Sequence, residues 1–471
     1  MRDINEIYLN GAFVTPHGAV RAPLFNPATE AQIGTVRLGN EADVDAAVAA
    51  ARSAAALAAS LSVVDRIRLL ERLAQAVSSK ADALAAAMRL EYGAPPQFTR
   101  FSIERLPDVF LSMADTVRDY PFVRTVGRAR VSMQPLGVVA AITPWNSDIG
   151  FICTKLATAV AAGSPIVIKP SEMSAIQTQA IAEALHDAGL PPGLLGIVNG
   201  YGAVVGAALS AHPDVAKITF TGSTATGRGI LRAAADSFKR VTLELGGKGP
   251  TLILDDADLD QAIPIALANG FMNSGQACIA GTRILAPRAR LAEIADRLRA
   301  GAAAFKVGGP DDPAARIGPM VSEKQWARVQ SYIRLGLEEG ATLLTGGEGR
   351  PDGIAHGWFV RPTIFAGVTN QMRIAREEIF GPVLCLIACD DEADAIRIAN
   401  DTPYGLQSYV LSSDPDRARR VADQLQAGRV LINGATHDPL APFGGFKQSG
   451  IGREYGVFGL DAFLEPRAVL G

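Results

Sequence analysis

Apolar residues recur at helical spacing over residues 43–60 and again over 63–90, a stretch rich in Ala, Val and Leu and free of Pro. That period predicts two long helices, the second halted by Gly93 and Pro95-Pro96. Between Tyr120 and Gln134 the pattern changes to two short β-prone stretches, 122–126 and 129–133, around Gly127-Arg128. These predict a hairpin projecting from the body.

From Leu136 to Leu245 short apolar runs alternate with helical stretches. The runs cover 136–142, 165–169, 195–198, 216–220 and 240–243, with helices around 155–162, 174–188, 203–209 and 224–235. Such alternation, punctuated by Gly and Pro, implies βαβ units and a parallel sheet. A second alternating section runs from Gly249 to about Cys389, and 463–470 reads as a last strand. Ligands on open parallel sheets bind outside the carboxyl ends of the strands. The residues that follow the runs are therefore the ones to inspect: Thr143-Pro144-Trp145-Asn146, Lys169-Pro170-Ser171-Glu172, Thr221-Gly222-Ser223 and Glu244-Leu245-Gly246-Gly247-Lys248.

Composition narrows the class. The 471 residues are 48% hydrophobic and carry 45 basic against 48 acidic side chains, a net charge of −3. This excludes disorder as the main state, and it leaves no basic stripe for nucleic acid. No apolar run reaches the ~20 residues that span a bilayer, and the N-terminus lacks a secretory pattern, so the expected location is the cytoplasm. Of four cysteines, Cys385 and Cys389 lie in the apolar run 383–389 and read as buried strand residues. Five histidines in no paired spacing give no metal site.

Candidate chemistry lies at the strand ends. Gly222-Ser223-Thr224-Ala225-Thr226-Gly227 follows a strand and opens a helix, where free N–H groups could meet a pyrophosphate. Lys169 and Glu172 could hold a ribose, Glu172 repelling a 2′-phosphate; alternatively Ser171 caps a helix and Glu172 complements its dipole. Cys278 sits among small residues, Gly275-Gln276-Ala277-Cys278-Ile279-Ala280, and reads either as an accessible nucleophile or as an inert core residue. Glu244 reads as a buried general base or as a carboxylate satisfied by the following glycine turn. Asn146 could donate to an oxyanion or simply fill a turn after Pro144.

Together with Glu377-Glu378-Ile379-Phe380-Gly381-Pro382 and Pro442-Phe443-Gly444-Gly445, these segments resemble the aldehyde dehydrogenase superfamily, in order, across nearly the whole chain. The resemblance implies a Rossmann-like parallel-sheet cofactor domain (1–117 and 136–246), a second α/β catalytic domain (247–462) and a β-hairpin oligomerisation arm (118–135 and 463–471). Cys278 would then be the nucleophile and Glu244 the general base. Asn146 and the Cys278 N–H would form the oxyanion hole, with Lys155 assisting proton handling. NAD is the implied cofactor, with NADP possible. It would contact Thr143, Trp145, Lys169, Ser171, Glu172, Gly222, Ser223, Leu245, Glu378 and Phe380. A homodimer or homotetramer is expected, because a bare edge strand calls for a partner.

Many relatives carry an aromatic residue and a proline after the Trp-Asn pair, where this chain has Ser147 and Asp148. With Gly150 and Thr154, these small or polar residues imply a wide or polar substrate entrance, or else Asp148 merely caps its helix. Ala277, Ile279, His437 and Phe443 complete the expected pocket. A bulky, aromatic or semialdehyde substrate follows. Alternatives are a coenzyme A-acylating aldehyde dehydrogenase, in which the acid at 244 is usually absent, and a cofactor-free thiol esterase.

Overall fold

Asn40 starts the first long helix: its side chain accepts from the N–H groups of Ala42 and Asp43, and Asp43 reaches back to the cap. In the computed structural model, which describes residues 1–471, that helix spans Glu41–Ser60. The single helix expected over 63–90 is instead two, Val63–Ser79 and Ala81–Tyr92. Lys80 leaves helical geometry at φ −108°, ψ 12°. The first half then packs chiefly on Leu106–Asp119 and the second on Ala175–Asp187, which both touch; a continuous apolar period does not reveal such a change of chief partner. Gly93 ends the second helix in the left-handed conformation, φ +68°. Pro96, read as part of a stop, also opens Pro96–Glu104, since a first helical position needs no N–H donor.

The five expected parallel strands form, as Val139–Ile142, Ile166–Lys169, Leu195–Ile197, Lys217–Thr221 and Arg240–Glu244. Their spatial order is 240–244, 217–221, 139–142, 166–169, 195–197, so the chain reverses direction across the sheet between 139–142 and 217–221. Antiparallel strands complete the sheet to eight: Ile7–Leu9 and Ala12–Val14 at one edge, Gly450–Ile451 at the other. Alternate residues of Val139–Ile142 enter different hydrophobic clusters, Val139 and Ala141 on one face, Ala140 and Ile142 on the other. Two-sided burial explains why the strand reads as a continuous apolar run.

Strand Arg240–Glu244 passes through Gly246-Gly247-Lys248-Gly249 directly into Pro250–Ile253, which belongs to a second, seven-stranded sheet. Within it, Val383–Cys389 sends Cys385 and Cys389 into one core cluster, as buried strand residues, and Leu384 and Leu386 into another. The hairpin forms as Val123–Val126 and Ala129–Pro135, closed by Gly127 at φ +58°. The last strand, Leu464–Val469, pairs antiparallel with its second arm. A small sheet of Arg2–Ile4, Gln32–Arg37 and Arg21–Phe25 was not among the expected elements. No single helix is long and apolar enough to cross a membrane.

Candidate active site

The strand ends align. Ile142 lies opposite both Lys169 and Phe220, and Thr221 lies opposite Glu244. The four segments singled out in the sequence therefore share one edge, at the point where the strand order reverses.

Glu244 ends its strand with 2% of its surface exposed, and neither carboxylate oxygen has a hydrogen-bond partner. The glycine turn does not satisfy it: Gly247 N–H donates to Glu378 Oε1 instead, at 2.8 Å. Burial, then the negative charge of Glu454, push the Glu244 pKa well above the usual carboxylate range; Lys155, Arg453 and Arg429 act against them. A Cβ on Gly444 would lie 2.7 Å from Glu244 Oε1, so glycine there leaves the carboxyl its space.

Cys278 meets the same turn. A Cβ on Gly247 would lie 2.2 Å from the Cys278 carbonyl oxygen. Unlike the buried Cys153, Cys385 and Cys389, Cys278 is partly exposed. The thiol pKa is pushed up to about 12, by burial first and then by the charges of Glu378 and Glu244. Three successive left-handed residues precede it: Asn273 at φ +48°, Ser274 at +59° and Gly275 at +73°. Such conformations cost of order 1–3 kcal/mol at a non-glycine residue and persist only where the surroundings hold them.

A polar network supplies that hold. Asn273 Nδ2 donates to the Asn146 and Gln276 carbonyls at 3.0 and 3.2 Å, and Tyr92 OH donates to Asn273 Oδ1 at 3.0 Å. Gly318 N–H donates to Ser274 Oγ, and Gln276 is clamped between the Pro319 carbonyl and the Val321 N–H. Asn146 Nδ2 donates to the Gln276 carbonyl at 3.0 Å, two residues before Cys278. Asn146 and the cysteine loop are thus locked together.

Lys155 projects from the helix Asp148–Ala162 and donates to Thr219 Oγ1 at 2.9 Å and Glu454 Oε1 at 2.7 Å. Glu454 was not among the residues expected from the sequence. Its signal there is an acid enclosed by Gly450, Gly452 and Gly456, a pattern that also suits a surface turn. Backbone bonds in both directions with Phe443 bring it into the site.

Among the residues expected to meet the cofactor, Lys169 Nζ lies 3.2 Å from Glu172 Oε2. Ser171 Oγ caps the short turn Glu172–Ser174, so the capping alternative and an outward-facing Glu172 coexist. Ser223 caps Thr224–Ala235, whose first N–H groups are free for an anion. Gly222 N–H donates to the Glu244 carbonyl, and Leu245 packs where a Cβ on Gly227 would clash with it. Phe380 is left-handed at φ +61° and meets Trp145 edge to face, centroids 5.4 Å apart. Glu378, with its pKa pushed to about 7 by burial, lies over Gly246, where a Cβ would be 2.5 Å from its Oε2. Carboxylates able to accept from hydroxyls, a helix N-terminus with free N–H groups and an aromatic pair thus lie at these strand ends and around the turn, a set that fits a dinucleotide.

Among the residues expected to line the substrate pocket, Ser147, Gly150 and Thr154 follow one another along the helix, and Thr154 Oγ1 donates to the Gly150 carbonyl. Tyr455, left-handed at φ +67°, packs against His437 at 4.9 Å and Phe443 at 6.0 Å. Ala277 and Ile279 flank the cysteine, with Tyr409 OH donating to the Ile279 carbonyl. Asp148 does not line the substrate entrance expected from the sequence. It is buried, accepting from Thr178 Oγ1 at 2.9 Å and from Thr143 Oγ1 at 3.3 Å, and so ties the first strand end to the next helix.

The aldehyde dehydrogenase family model matches residues 13–469, and the chain belongs to that family of oxidoreductases. Among curated relatives it is 46% identical over 473 residues to a 3-succinoylsemialdehyde-pyridine dehydrogenase of a Pseudomonas species, covering 100% of this chain and 99% of that one. Among solved structures it matches a cysteine-to-alanine mutant of aldehyde dehydrogenase C from Pseudomonas syringae in complex with NAD+ and octanal. That match has a TM-score of 0.97 at 43% identity, over 99% of this chain and 96% of the other. A Mycobacterium tuberculosis aldehyde dehydrogenase complexed with NAD+ matches with a TM-score of 0.97 at 40% identity, over 100% and 98% of the two chains.

Proposed function

We propose that the protein oxidises an aldehyde to a carboxylic acid with NAD+, using Cys278 as nucleophile and Glu244 as the base that activates water. One observation carries the reading: a partly exposed cysteine and a buried, unpartnered carboxyl meet at the turn that carries Arg240–Glu244 of one sheet into Pro250–Ile253 of the other.

The Cys278 thiolate adds to the aldehyde carbon, and the oxygen takes up negative charge. Asn146 Nδ2 and the Cys278 N–H hold that charge where it develops. Collapse of the alkoxide expels hydride and leaves a thioester on Cys278. When bound, the nicotinamide ring supplies the hydride acceptor; Glu378 and Phe380 would hold its ribose and ring, Lys169 and Glu172 the adenosine ribose, and Ser223 the pyrophosphate. Glu244 then takes a proton from water, which attacks the thioester. Lys155 and Glu454 carry that proton onward.

The substrate is an aldehyde with a sizeable body beyond the carbonyl. Small side chains at Ser147 and Gly150 support this, as do the semialdehyde in the name of one relative and the octanal bound by another. A second copy of the chain covers the exposed hairpin strand Val123–Val126, giving a dimer or tetramer readable by light scattering.

The test is a rapid-quench assay. The Glu244→Gln enzyme mixed with NAD+ and a large aldehyde should give one NADH per site and then turn over about 10²–10⁴-fold more slowly than the parent. Release of an acyl-coenzyme A thioester in place of free acid on adding coenzyme A would favour the acylating alternative. Normal turnover would remove Glu244 from the mechanism, and preference for acetaldehyde over every larger aldehyde would overturn the roomy entrance.

A further inference from the structure

Arg429 opens the strand Arg429–Ile432 beside Gln407 and is half-buried among the groups on the substrate side. Its Nε donates to Gln407 Oε1 at 2.6 Å, and its guanidinium carbon stands 4.8 Å from the Phe443 ring centroid. Its Nη1 lies 2.5 Å from His437 Nδ1. Arginine has only donors, so His437 Nδ1 must accept and the imidazole is neutral. Burial and the Arg429 charge together hold the His437 pKa down to about 4, in agreement.

Three features thus fix the guanidinium in one orientation. None of them neutralises it. No carboxylate stands within ion-pair distance of Arg429, although nineteen arginine–carboxylate contacts occur elsewhere in the chain, and its Nη2 has no hydrogen-bond partner. A half-buried cation normally acquires a counter-charge, because desolvation is otherwise uncompensated. The charge is felt at the site itself: it acts on both Cys278 and Glu244. Through Gln407, Tyr409 and the Ile279 carbonyl, Arg429 is also bonded to the loop that carries the cysteine. Arg105, a second guanidinium without a carboxylate partner, adds its field at His437, where exposed Asp438 is the one acid acting.

We propose that Arg429 is a specificity-determining residue whose free edge receives a carboxylate carried by the aldehyde substrate, making this enzyme a dehydrogenase of carboxylate-bearing semialdehydes. The inference rests on the aldehyde-oxidising reading above and narrows its substrate class. A planar, oriented guanidinium with donors to spare matches a carboxylate, and binding would supply the missing counter-charge.

The experiment compares 5-oxopentanoate, its methyl ester and pentanal with NAD+ in the full-length enzyme. The carboxylate should exceed the methyl ester in kcat/KM by at least about tenfold, mainly through KM, and the advantage should shrink with added salt. In Arg429→Gln the carboxylate-to-ester ratio should collapse toward one, and Arg429→Lys should restore part of it. Equal use of acid and ester by the parent enzyme overturns the proposal, whatever the variants do. So does an Arg429→Gln enzyme that slows on all three in proportion and shifts its pH profile, since Arg429 would then act on the thiol. Failure to oxidise any of the three, or octanal, would instead remove the aldehyde reading itself.

Discussion

Lys155 Nζ donates to Glu454 Oε1 at 2.7 Å in an ion pair with only 1% of the lysine exposed, while Glu244, within the field of both, has no partner. The charges act on Glu244 in opposite senses. Glu454 raises its pKa and Lys155 lowers it. If Glu244 must lose its proton to activate water, the acid limb of kcat records that balance. Lys155→Met should move the limb to higher pH, because the stabilising cation is gone. Glu454→Gln should move it lower, because a repelling charge is gone. Breaking a buried pair costs about 3–5 kcal/mol, so thermal unfolding of both variants is the companion measurement. Shifts of the same sign in both would show that the pair does not govern Glu244.

Asn146 serves two partners: its Nδ2 donates to Gln276 and its carbonyl accepts from Asn273. Asn146→Ala removes the first and keeps the second, so the strained loop retains its backbone anchor. The NADH burst should slow by about 10²–10³-fold, the usual loss for one oxyanion donor. Asn146→Asp keeps the shape but presents negative charge to the developing oxyanion, and should be slower still. A burst in Asn146→Ala as fast as the parent's would leave the oxyanion to other donors.

How far these arrangements could be read beforehand depended on what made each signal local. The parallel strands were legible because burial on both faces leaves unbroken apolar runs such as 139–142. Cys278, Glu244 and Asn146 were legible as types at strand ends and in small-residue loops, and the family resemblance gave them roles. The break at Lys80 was not legible, because both flanking helices keep one apolar period while their chief partner changes. Glu454 and Arg429 were missed for a related reason. An acid among glycines and a cation before an apolar run have ordinary surface readings, and only the folded chain brings them to Lys155, His437 and Phe443. Asp148 was the converse case, a polar residue expected from the sequence to face the substrate entrance that turns inward to two threonines.

Glu172 is expected to set the choice of dinucleotide. Its carboxylate stands 3.2 Å from Lys169 Nζ and remains partly exposed at the second strand end. A 2′-phosphate placed there would meet like charge, whereas a free ribose would meet acceptors. Glu172→Gln keeps the length of the side chain and removes the repulsion, leaving Lys169 free to attract phosphate. The kcat/KM for NADP+ should rise and that for NAD+ should fall, changing their ratio by at least about tenfold. An unchanged ratio would locate discrimination elsewhere.

The resting thiol yields a prediction about the first chemical step. Cys278 has its pKa raised to about 12 by burial, by Glu378 and by Glu244. Only the thiolate attacks, and below the pKa its fraction grows about tenfold per pH unit. The NADH burst rate should therefore climb with pH across the neutral and mildly alkaline range, with a slope near one on a logarithmic scale. Above the raised pKa of Glu244, Glu244→Gln removes one of the anions that hold the proton on sulfur, so there its burst should be faster than the parent's at the same pH even as later turnover is slowed. That opposition, quicker acylation with slower hydrolysis from one substitution, is the signature of a carboxyl that repels the thiolate and serves the water. Stopped-flow traces of NADH at several pH values separate the two phases. A burst rate independent of pH would mean that the sulfur is already ionised before the aldehyde arrives.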